Sequence, residues 1–415
     1  VNHSIPGAVG VFFQSPAGNV LHTGDFKLDQ TPIDGVTTDF GALAKFSKAG
    51  VDLMMSDSTN AQNPSFTPSE AEVGKELRKI ISQARGRVII ASFASHIHRM
   101  QQICDAARDN GRKVVVTGRS MIQNTDIARR LGYLNIPDED IVDAYDLKGI
   151  PPEQVVIMCT GSQGEPLSAL ARIANGEHKT IDLEQGDTVI ISATPVPGNE
   201  KAVTRVINSL AKIGADVYDK KRAMVHVSGH AGAEELKLVL SIVQPNAFMP
   251  VHGEATHLRA HAKLAEATGV PAENVFICEN GEGLELSSRG VKRGETVQSG
   301  IVFVDGLSVG DTSQDVLDER NALGSQGFAS VAAAISSKRK DVVGEVQVEM
   351  HGITGGDDDY LVREARTTVK NALKRQLGKG GGQKELKKAA RDALLSLLWE
   401  RTKQRPMAIV NLLEV

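Results

Sequence analysis

The stretch RVIIASFASHIHRMQQICDAARDNGRKVVVTG, residues 87–118, decides the fold class. It holds two short β-branched runs, VII at 88–90 and VVV at 114–116, with a helical pattern between them. Within that pattern Met100, Ile103 and Ala107 share one face, and Asn110-Gly111 is a typical helix end. Continuous apolar strands that alternate with helices indicate a buried, largely parallel sheet.

The same texture continues with QVVIMCTG at 154–161 and DTVIISATP at 187–195. Each of the four predicted strands ends in a small polar loop, at residues 92–95, 117–120, 160–165 and 194–200. Ligands of open parallel sheets bind at the carboxyl ends of the strands, and loops rich in Gly, Ser and Thr can present N–H groups to phosphate. One such loop would be an ordinary turn, but four in one domain favour a phosphate-rich ligand.

On either side of this region the pattern differs. VGVFFQSPAGNVLHTGDF at 9–26 predicts a hairpin about residues 16–18, and VDLMMSDST at 51–59 predicts another strand. Residues 67–70 resemble a helix start with Pro68 near the first helical position. Farther on, AMVHVSGHA at 223–231 and NAFMPVHGE at 246–254 read as strands, and helices are predicted at 233–245 and 256–269. A connection at 300–310 leads to a smaller α/β module, in which two charged helices flank residues 378–382.

Composition limits the classes of function. The 415 residues carry a formal charge of -4, so any positive potential for nucleic acid must be concentrated in a groove. No apolar run of 18 residues and no secretion-like leader is visible, so we expect a cytoplasmic protein without membrane contact. Cys104, Cys159 and Cys278 lack CxxC spacing, which favours reduced thiols and a metal held by His and carboxylates.

The informative histidines stand at the ends of predicted elements, beside glycine. His3 precedes a strand, Asp25 follows one in HTGD, His230 lies in SGHA, and His252 lies in PVHGE. Taken singly, each is more often structural than functional. At strand ends their side chains can converge, and together they favour a shared metal site.

These motifs, in this order, resemble the ribonuclease J family, in the β-CASP group of the metallo-β-lactamase superfamily. His3-Ser-Ile-Pro and His22-Thr-Gly-Asp25 resemble its third and fourth metallo-β-lactamase motifs. Asp57 in SDSTN, His230 in SGHA and His252 in PVHGE resemble motifs A, B and C of the group. The runs at 92–99 and 160–166 and the ending RPM at 405–407 also resemble the family, so the likeness covers essentially the whole sequence.

One family motif, His-x-His-x-Asp-His, should precede His3 and is not in the printed sequence. His96-Ile97-His98 continues Arg-Met instead and lies in the inserted domain, so we expect it to line an RNA groove. Because the chain begins at Val1 and reaches motif-like residues at once, we expect the natural N-terminus to lie upstream.

The resemblance implies an α/β fold in which a partial αββα metallo-β-lactamase sandwich carries an inserted β-CASP α/β domain and is followed by a small C-terminal α/β domain. The expected boundaries are 1–65 for the second part of the metallo-β-lactamase domain, 66–216 for the β-CASP domain, 217–300 for the return of the sandwich, 301–312 for a linker and 313–415 for the C-terminal domain.

For the chemistry, the resemblance implies two zinc ions per complete site, with manganese as the alternative. His3 would complete one zinc, Asp25 would bridge, and His252 would bind the other ion. Asp57 and His230 would form a catalytic pair, in which the carboxylate orients the imidazole toward the leaving oxygen. The other interpretation of His230 is a hydrogen-bonded loop histidine.

The loops at the strand ends would hold single-stranded RNA, with a pocket that favours a 5′-monophosphate. The candidate RNA contacts are Ser92, Ser95, His98, Arg99, Gly161, Ser162, Gln163 and Gly164. The resemblance implies an endonuclease and 5′–3′ exonuclease of RNA maturation and decay, assembled as a homo-dimer or homo-tetramer. The alternatives are a catalytically incomplete RNA-binding or assembly fragment and, more weakly, an enzyme of this fold that acts on DNA or another phosphodiester.

For the other histidines and the basic runs, we expect structural or surface positions. His22, His226, His257 and His261 are expected to be packing residues or partners of metal ligands, and His178 a solvated surface residue. The basic runs at 338–340 and 384–388 are expected to be solvated helix faces, with an RNA or subunit contact as the lesser alternative.

Overall fold

The computed structural model describes residues 1–310, 313–355 and 358–415. The chain forms two compact units, Val1–Gln298 and Ser299–Val415. Asp311 and Thr312, the last residues of the predicted linker, lie outside the described residues. The α/β class predicted from the sequence is confirmed.

The first unit contains two larger sheets and a hairpin. Its strands are β1 (Val11–Ser15), β2 (Gly18–His22), β3 (Leu53–Asp57), β4 (Val88–Ala91), β5 (Lys113–Thr117), β6 (Val155–Cys159), β7 (Thr188–Ile191), β8 (Asp216–Tyr218), β9 (Ala247–Val251), β10 (Glu282–Ser287) and β11 (Gly290–Thr296). Its helices are α1 (Phe40–Ala49), α2 (Glu70–Gln83), α3 (Ile97–Asp109), α4 (Arg119–Arg130), α5 (Ala169–Ala174), α6 (Glu200–Ile213), α7 (Ala233–Val243) and α8 (Ala255–Ala267).

The four-stranded sheet has the order β1-β2-β3-β9. The predicted hairpin is confirmed, with Ser15 opposite Gly18. Strands β2, β3 and β9 run parallel, so their carboxyl ends meet at one edge. Leu21, Met54 and Phe248 pack in one core with Leu236 and Leu240 of α7. This packing fixes the edge from which the candidate site is built.

The five-stranded sheet is parallel throughout, with the order β5-β6-β4-β7-β8. The four strands predicted from β-branched runs are confirmed. Apolar residues of α2, α3 and α4 pack on one face, and those of α5 and α6 pack on the other. Burial on both faces explains why these strands are continuously apolar rather than alternating.

Three local predictions need correction. AMVHVSGHA does not form a strand, although Val225 and Val227 are buried. The predicted boundary at 216 falls on the first residue of β8, which pairs with β7, so the five-stranded sheet extends to Tyr218. At the start of α2, Ser69 is the N-cap and accepts from the Ala71 amide, which places Pro68 before the cap rather than inside the helix.

The second unit contains β12 (Val304–Asp305), β13 (Ser308–Val309), α9 (Gln314–Gln326), β14 (Phe328–Ser336), β15 (Asp341–His351), α10 (Asp359–Gly378), α11 (Gln383–Thr402) and β16 (Met407–Glu414). The small β12–β13 hairpin lies where a plain connection was predicted. Strands β15-β14-β16 form a sheet, and apolar residues of α10 and α11 pack on it. Across the described ranges, no helix is both long enough and apolar enough to cross a bilayer.

Candidate metal centre and catalytic pair

Three of the predicted site residues follow parallel strands of the four-stranded sheet. Asp25 follows β2, Asp57 ends β3, and His252 comes directly after β9. Because the carboxyl ends of these strands meet, their side chains converge on one edge. His3 and His230 reach the same place from the segments before β1 and before α7.

A backbone carbonyl orients the imidazole of His3 as it would orient a metal ligand. Its Nδ1 lies 2.8 Å from the carbonyl oxygen of Gly229, so Nδ1 carries the proton and donates it. The free Nε2 lies 3.9 Å from Oδ2 of Asp25. Burial lowers the pKa of His3, which favours the neutral imidazole that metal binding requires.

Asp25 stands between two imidazoles. One oxygen, Oδ2, faces His3, and the other, Oδ1, lies 3.0 Å from Nδ1 of His252. A carboxylate that presents its two oxygens to two different histidines could be shared by two cations. The bridging role that the resemblance implies for Asp25 stays a prediction.

His252 adopts an unusual backbone conformation, with φ of 55°. A non-glycine residue at positive φ is strained by roughly 1–3 kcal/mol and persists only where its surroundings hold it. Here the hydroxyl of Thr59 donates to the His252 carbonyl at 2.8 Å. The turn after β9 thereby directs the imidazole back toward Asp25.

Asp57, which is buried, and His230, which is partly exposed, form a hydrogen-bonded pair beside these residues. His230 Nδ1 lies 2.7 Å from Oδ2 of Asp57, whose side chain is 2 % exposed. Burial alone would raise the pKa of Asp57, but hydrogen bonds from His230 and Thr59 outweigh burial and lower it. The ionised carboxylate therefore holds the proton of His230 on Nδ1 and leaves Nε2 free to face the site.

The loops that carry the pair are fastened by one buried carboxylate. Glu235 of α7 accepts from the backbone N–H groups of Leu28, Thr67 and Gly232, each at 2.7 Å. In addition, the hydroxyl of Thr67 donates to the His230 carbonyl at 2.8 Å. These contacts join three separate chain segments next to the site.

All five residues predicted for metal binding and catalysis therefore lie together. Ligand atoms within 4.8 Å of one another are offered by His3, Asp25 and His230, and also by Asp57, His230 and His252. Imidazole and carboxylate donors suit zinc and other divalent transition metals. The donor set, and the fixed tautomer of His3, fit a metal ion.

The predicted RNA contacts lie at the carboxyl edge of the five-stranded sheet, but they differ in exposure. Ser95 is exposed, whereas the hydroxyl of Ser92 is buried and has no hydrogen-bond partner among the described residues. His98 is half-buried, with Nε2 3.9 Å from Oδ2 of Asp34. A cavity of about 100 Å³ is lined by both His98 and His3, which connects this edge to the metal centre.

Arg99 requires a correction, because its side chain is fully buried rather than facing a groove. Its guanidinium forms a bidentate ion pair with Glu70, in which Nη2 lies 2.7 Å from Oε2. The guanidinium also donates to the Val225 carbonyl at 3.0 Å. A further N–H group reaches Ser192. With its donors engaged inside the protein, Arg99 is a structural residue, and we do not propose it as an RNA contact.

The loop at 161–164 is closely packed against its neighbours. Gln163 donates to the Thr194 carbonyl at 3.0 Å and accepts from the Val196 amide at 2.7 Å, so its side chain joins two loops instead of pointing into solvent. Gly161 and Gly164 have φ of 111° and 73°, and a Cβ on Gly164 would lie 2.6 Å from the backbone of Ala202. Ser162 is also buried. The Gly164 amide already donates to the Gly161 carbonyl at 3.1 Å, so ligand contacts from this loop would come from the backbone N–H groups of residues 161–163.

Several supporting residues could not be predicted from the sequence. Thr59 lies in the SDSTN motif but has no predicted role, and Glu70 was predicted only as part of a helix start. Glu235 lies in an ordinary amphipathic helix, three residues after the N-cap Gly232, where a glutamate can accept from the N-cap amide as it does in one half of a capping box. That local pattern was the one available clue to its position.

Four further histidines form hydrogen bonds with other groups of the protein. His261 is fully buried, with Nδ1 3.0 Å from the hydroxyl of Ser58, and burial lowers its pKa to about 3. His257 Nδ1 accepts from the Glu254 amide, and His22 Nδ1 accepts from the Gly24 amide. His178 was predicted to be solvated, but it is half-buried with Nε2 3.1 Å from the hydroxyl of Thr117.

Three family models match successive parts of the chain. Residues 85–210 match the ribonuclease J β-CASP domain, residues 214–278 match the Zn-dependent metallo-hydrolase RNA specificity domain, and residues 315–415 match the ribonuclease J C-terminal domain. The three matches follow the order predicted for the inserted domain, the return of the sandwich and the C-terminal domain.

Individual relatives are similar over most of the chain. Ribonuclease J of Mycolicibacterium smegmatis is 50% identical over 335 residues, which are 81% of this chain and 60% of that protein. Ribonuclease J2 of Bacillus subtilis is 40% identical over 416 residues, which cover 100% of this chain and 75% of that protein. Ribonuclease J of Thermus thermophilus is 42% identical over 90% of this chain and 64% of its own length. The chain belongs to the ribonuclease J family.

Proposed function

We propose that the protein is a metal-dependent ribonuclease that hydrolyses RNA phosphodiesters, both internally and in the 5′–3′ direction. The observation that carries the proposal is the arrangement of Asp25 between His3 and His252, with the Asp57–His230 pair beside it. Zinc is the metal that we expect, and manganese is the alternative. We place the activity in RNA maturation and decay in the cytoplasm.

In this proposal His3, Asp25 and His252 hold the metal. A bound zinc ion would supply Lewis acidity, which acidifies water and neutralises charge on a phosphate. The chain itself supplies orientation and a proton. Asp57 accepts the Nδ1 proton of His230 and so aims Nε2 at the leaving oxygen. To act as the general acid, His230 must be the imidazolium; it then donates its Nε2 proton to the leaving oxygen and returns to the neutral form with the proton on Nδ1.

RNA would enter along the carboxyl edge of the five-stranded sheet. Ser95 and His98, together with the backbone of residues 161–164, are the contacts supported by their exposure or their glycine-rich conformation. A 5′-monophosphate would suit N–H groups of such a loop. We expect a homo-dimer or homo-tetramer, as the resemblance implies.

The test compares cleavage of a 5′-monophosphorylated single-stranded RNA with cleavage of DNA of the same sequence. The proposal expects RNA to be cut and DNA to be left largely intact, and expects RNA cleavage to fail in His230→Ala. Retained RNA binding without cleavage would favour the alternative of an RNA-holding part. Equal cleavage of both nucleic acids would favour a general phosphodiesterase.

A further inference from the structure

An open cleft of about 470 Å³ lies at the outer edge of the five-stranded sheet. It is lined by the end of edge strand β5, by α4, and by the segments at 141–145 and 172–180. None of the predicted metal, catalytic or RNA-contact residues lines it. The cleft is therefore a second concave surface, which the proposed function does not use.

The cleft forms because a neighbouring segment leaves the sheet. Ile141 bridges Val114 in parallel, and the Val142 amide donates to the Val114 carbonyl at 2.9 Å. The chain then turns away, with the Tyr145 amide donating to Asp143. By the alternation of a strand, the peptide groups of Val116 face the same edge as those of Val114. Val116 lines the cleft, so backbone donors and acceptors border it.

Two cations of the cleft have no carboxylate partner among the described residues. The Arg172 guanidinium donates to a backbone carbonyl, that of Glu177, and Lys179 takes part in none of the described ion pairs. Two carboxylates also line the cleft: Asp126 is paired with Arg130, and Asp143 accepts from the Tyr145 amide. Positive charge is therefore available at one end of the cleft. Such unpaired cations suit a phosphate group.

The floor of the cleft carries an oriented hydroxyl. The amides of Thr180 and Ile181 donate to Nδ1 of His178, which places the proton of the imidazole on Nε2. Nε2 donates to the hydroxyl of Thr117, which is then free to donate to a ligand. At the rim the ring of Tyr145 is 75% exposed. An exposed aromatic ring beside cations is a stacking platform for a base.

We propose that this cleft binds a nucleotide, with the phosphate at Arg172 and Lys179 and the base against Tyr145 and the open edge of β5. The ligand is either a free nucleoside 5′-monophosphate or one nucleotide of a single-stranded RNA, since both present the same phosphate and base. The proposal goes beyond cleavage, and binding here requires no activity at the metal centre.

The test uses photo-crosslinking of the full-length protein. The probes are 4-thiouridine 5′-monophosphate and a single-stranded oligoribonucleotide that carries one 4-thiouridine, and crosslinked peptides are mapped by mass spectrometry. We expect crosslinks within residues 141–145, both in the unsubstituted protein and in His230→Ala. In the double variant Arg172→Gln/Lys179→Gln the yield at low probe concentration should fall about tenfold.

The matched control is Lys201→Gln/Lys212→Gln, which removes two exposed cations from α6. This helix packs on the same five-stranded sheet, and the control should leave the crosslinking yield in the cleft unchanged. Tyr145→Phe should keep the crosslinking site, and Tyr145→Ala should weaken binding. Crosslinking by the mononucleotide alone identifies a free nucleotide as the ligand. Crosslinking that requires the oligonucleotide identifies an RNA segment. Either outcome supports the proposal.

Three outcomes would overturn the proposal. The first is an absence of crosslinks in the cleft with both probes. The second is an equal yield in the Arg172→Gln/Lys179→Gln variant and in the control pair. The third is a changed sedimentation coefficient in the cleft variant with unchanged crosslinking, which would make the cleft a contact between subunits instead.

Discussion

At the scale of the residue, Asp57 controls how His230 is presented. The carboxylate accepts from His230 Nδ1 and is itself held by the Phe26 and Thr59 backbone amides. Asp57→Asn keeps the size of the side chain but removes the charge that fixes the imidazole. We expect the cleavage rate to fall by about 100-fold or more, because general acid catalysis contributes roughly that much.

The measurement for Asp57→Asn is the single-turnover cleavage rate together with metal content. Metal content should stay close to that of the unsubstituted protein, since Asp57 is not one of the proposed ligands. Asp109→Asn, which removes an exposed carboxylate paired with Arg78, is the control and should cleave normally. An undiminished rate in Asp57→Asn would show that the pair does not act in catalysis.

Also at the scale of the residue, the burial of His261 makes the free energy of unfolding depend on pH. Burial lowers its pKa to about 3, whereas the unfolded chain has the ordinary value of 6.5. Between these values the unfolded state binds more protons, so the free energy of unfolding falls as the pH is lowered from 6.5 toward 3. One such group contributes a slope of at most about 1.4 kcal/mol per pH unit.

His261→Asn tests this contribution, because the amide can still reach the hydroxyl of Ser58 but does not titrate. Urea unfolding at several pH values below 6.5 should show a shallower loss of stability in the variant. The comparison uses slopes, so a constant destabilisation by the substitution does not affect it. Identical slopes would mean that His261 is protonated equally in both states.

At the scale of the element, the buried ion pair of Arg99 and Glu70 joins the two places where the chain crosses between the sheets. Glu70 begins α2 on the outward path, and Arg99 binds the Val225 carbonyl on the return path, five residues before His230. Arg99→Met removes the arginine partner of the buried Glu70 and leaves only the imidazole of His96 beside it, and breaking a buried pair in this way destabilises a protein by about 3–5 kcal/mol.

A double-mutant cycle measures this coupling by denaturant unfolding. Arg99→Met and Glu70→Gln should each be strongly destabilising, and the double variant should lose far less than the sum of the two. Arg78→Met, from an exposed pair with Asp109, should have little effect. Additive losses in the cycle would contradict a coupled buried pair.

The strands show which elements could be predicted from the sequence and which could not. The β-branched runs predicted β4 to β7, because parallel strands buried on both faces are apolar throughout. The same logic failed for 223–231. There, Arg99 and Ser192 bind the Val225 carbonyl, so a side-chain partner replaces the neighbouring strand that a local pattern implies. Strand β8 is only three residues long and carries too little pattern to predict.

At the scale of the whole molecule, sequence motifs were enough to select five residues that the structure brings together, and their metal-binding and catalytic roles stay predictions. The tautomers were not predictable, because they depend on distant partners. The carbonyl that fixes His3 belongs to Gly229, 226 positions away, and the carboxylate that orients His230 is 173 positions away. The prediction of Arg99 as an RNA contact failed for a related reason. Nothing in the sequence around a basic residue near a loop indicates that its side chain is buried.

The most direct measurement is zinc content of the full-length protein by elemental analysis, alongside cleavage of a 5′-monophosphorylated RNA. The central claim is that His3, Asp25 and His252 hold metal. It predicts about two zinc ions per chain, as in two-metal nuclease sites, and His252→Ala should lose about one ion and cleavage together. Unchanged zinc content and cleavage in His252→Ala would contradict the claim.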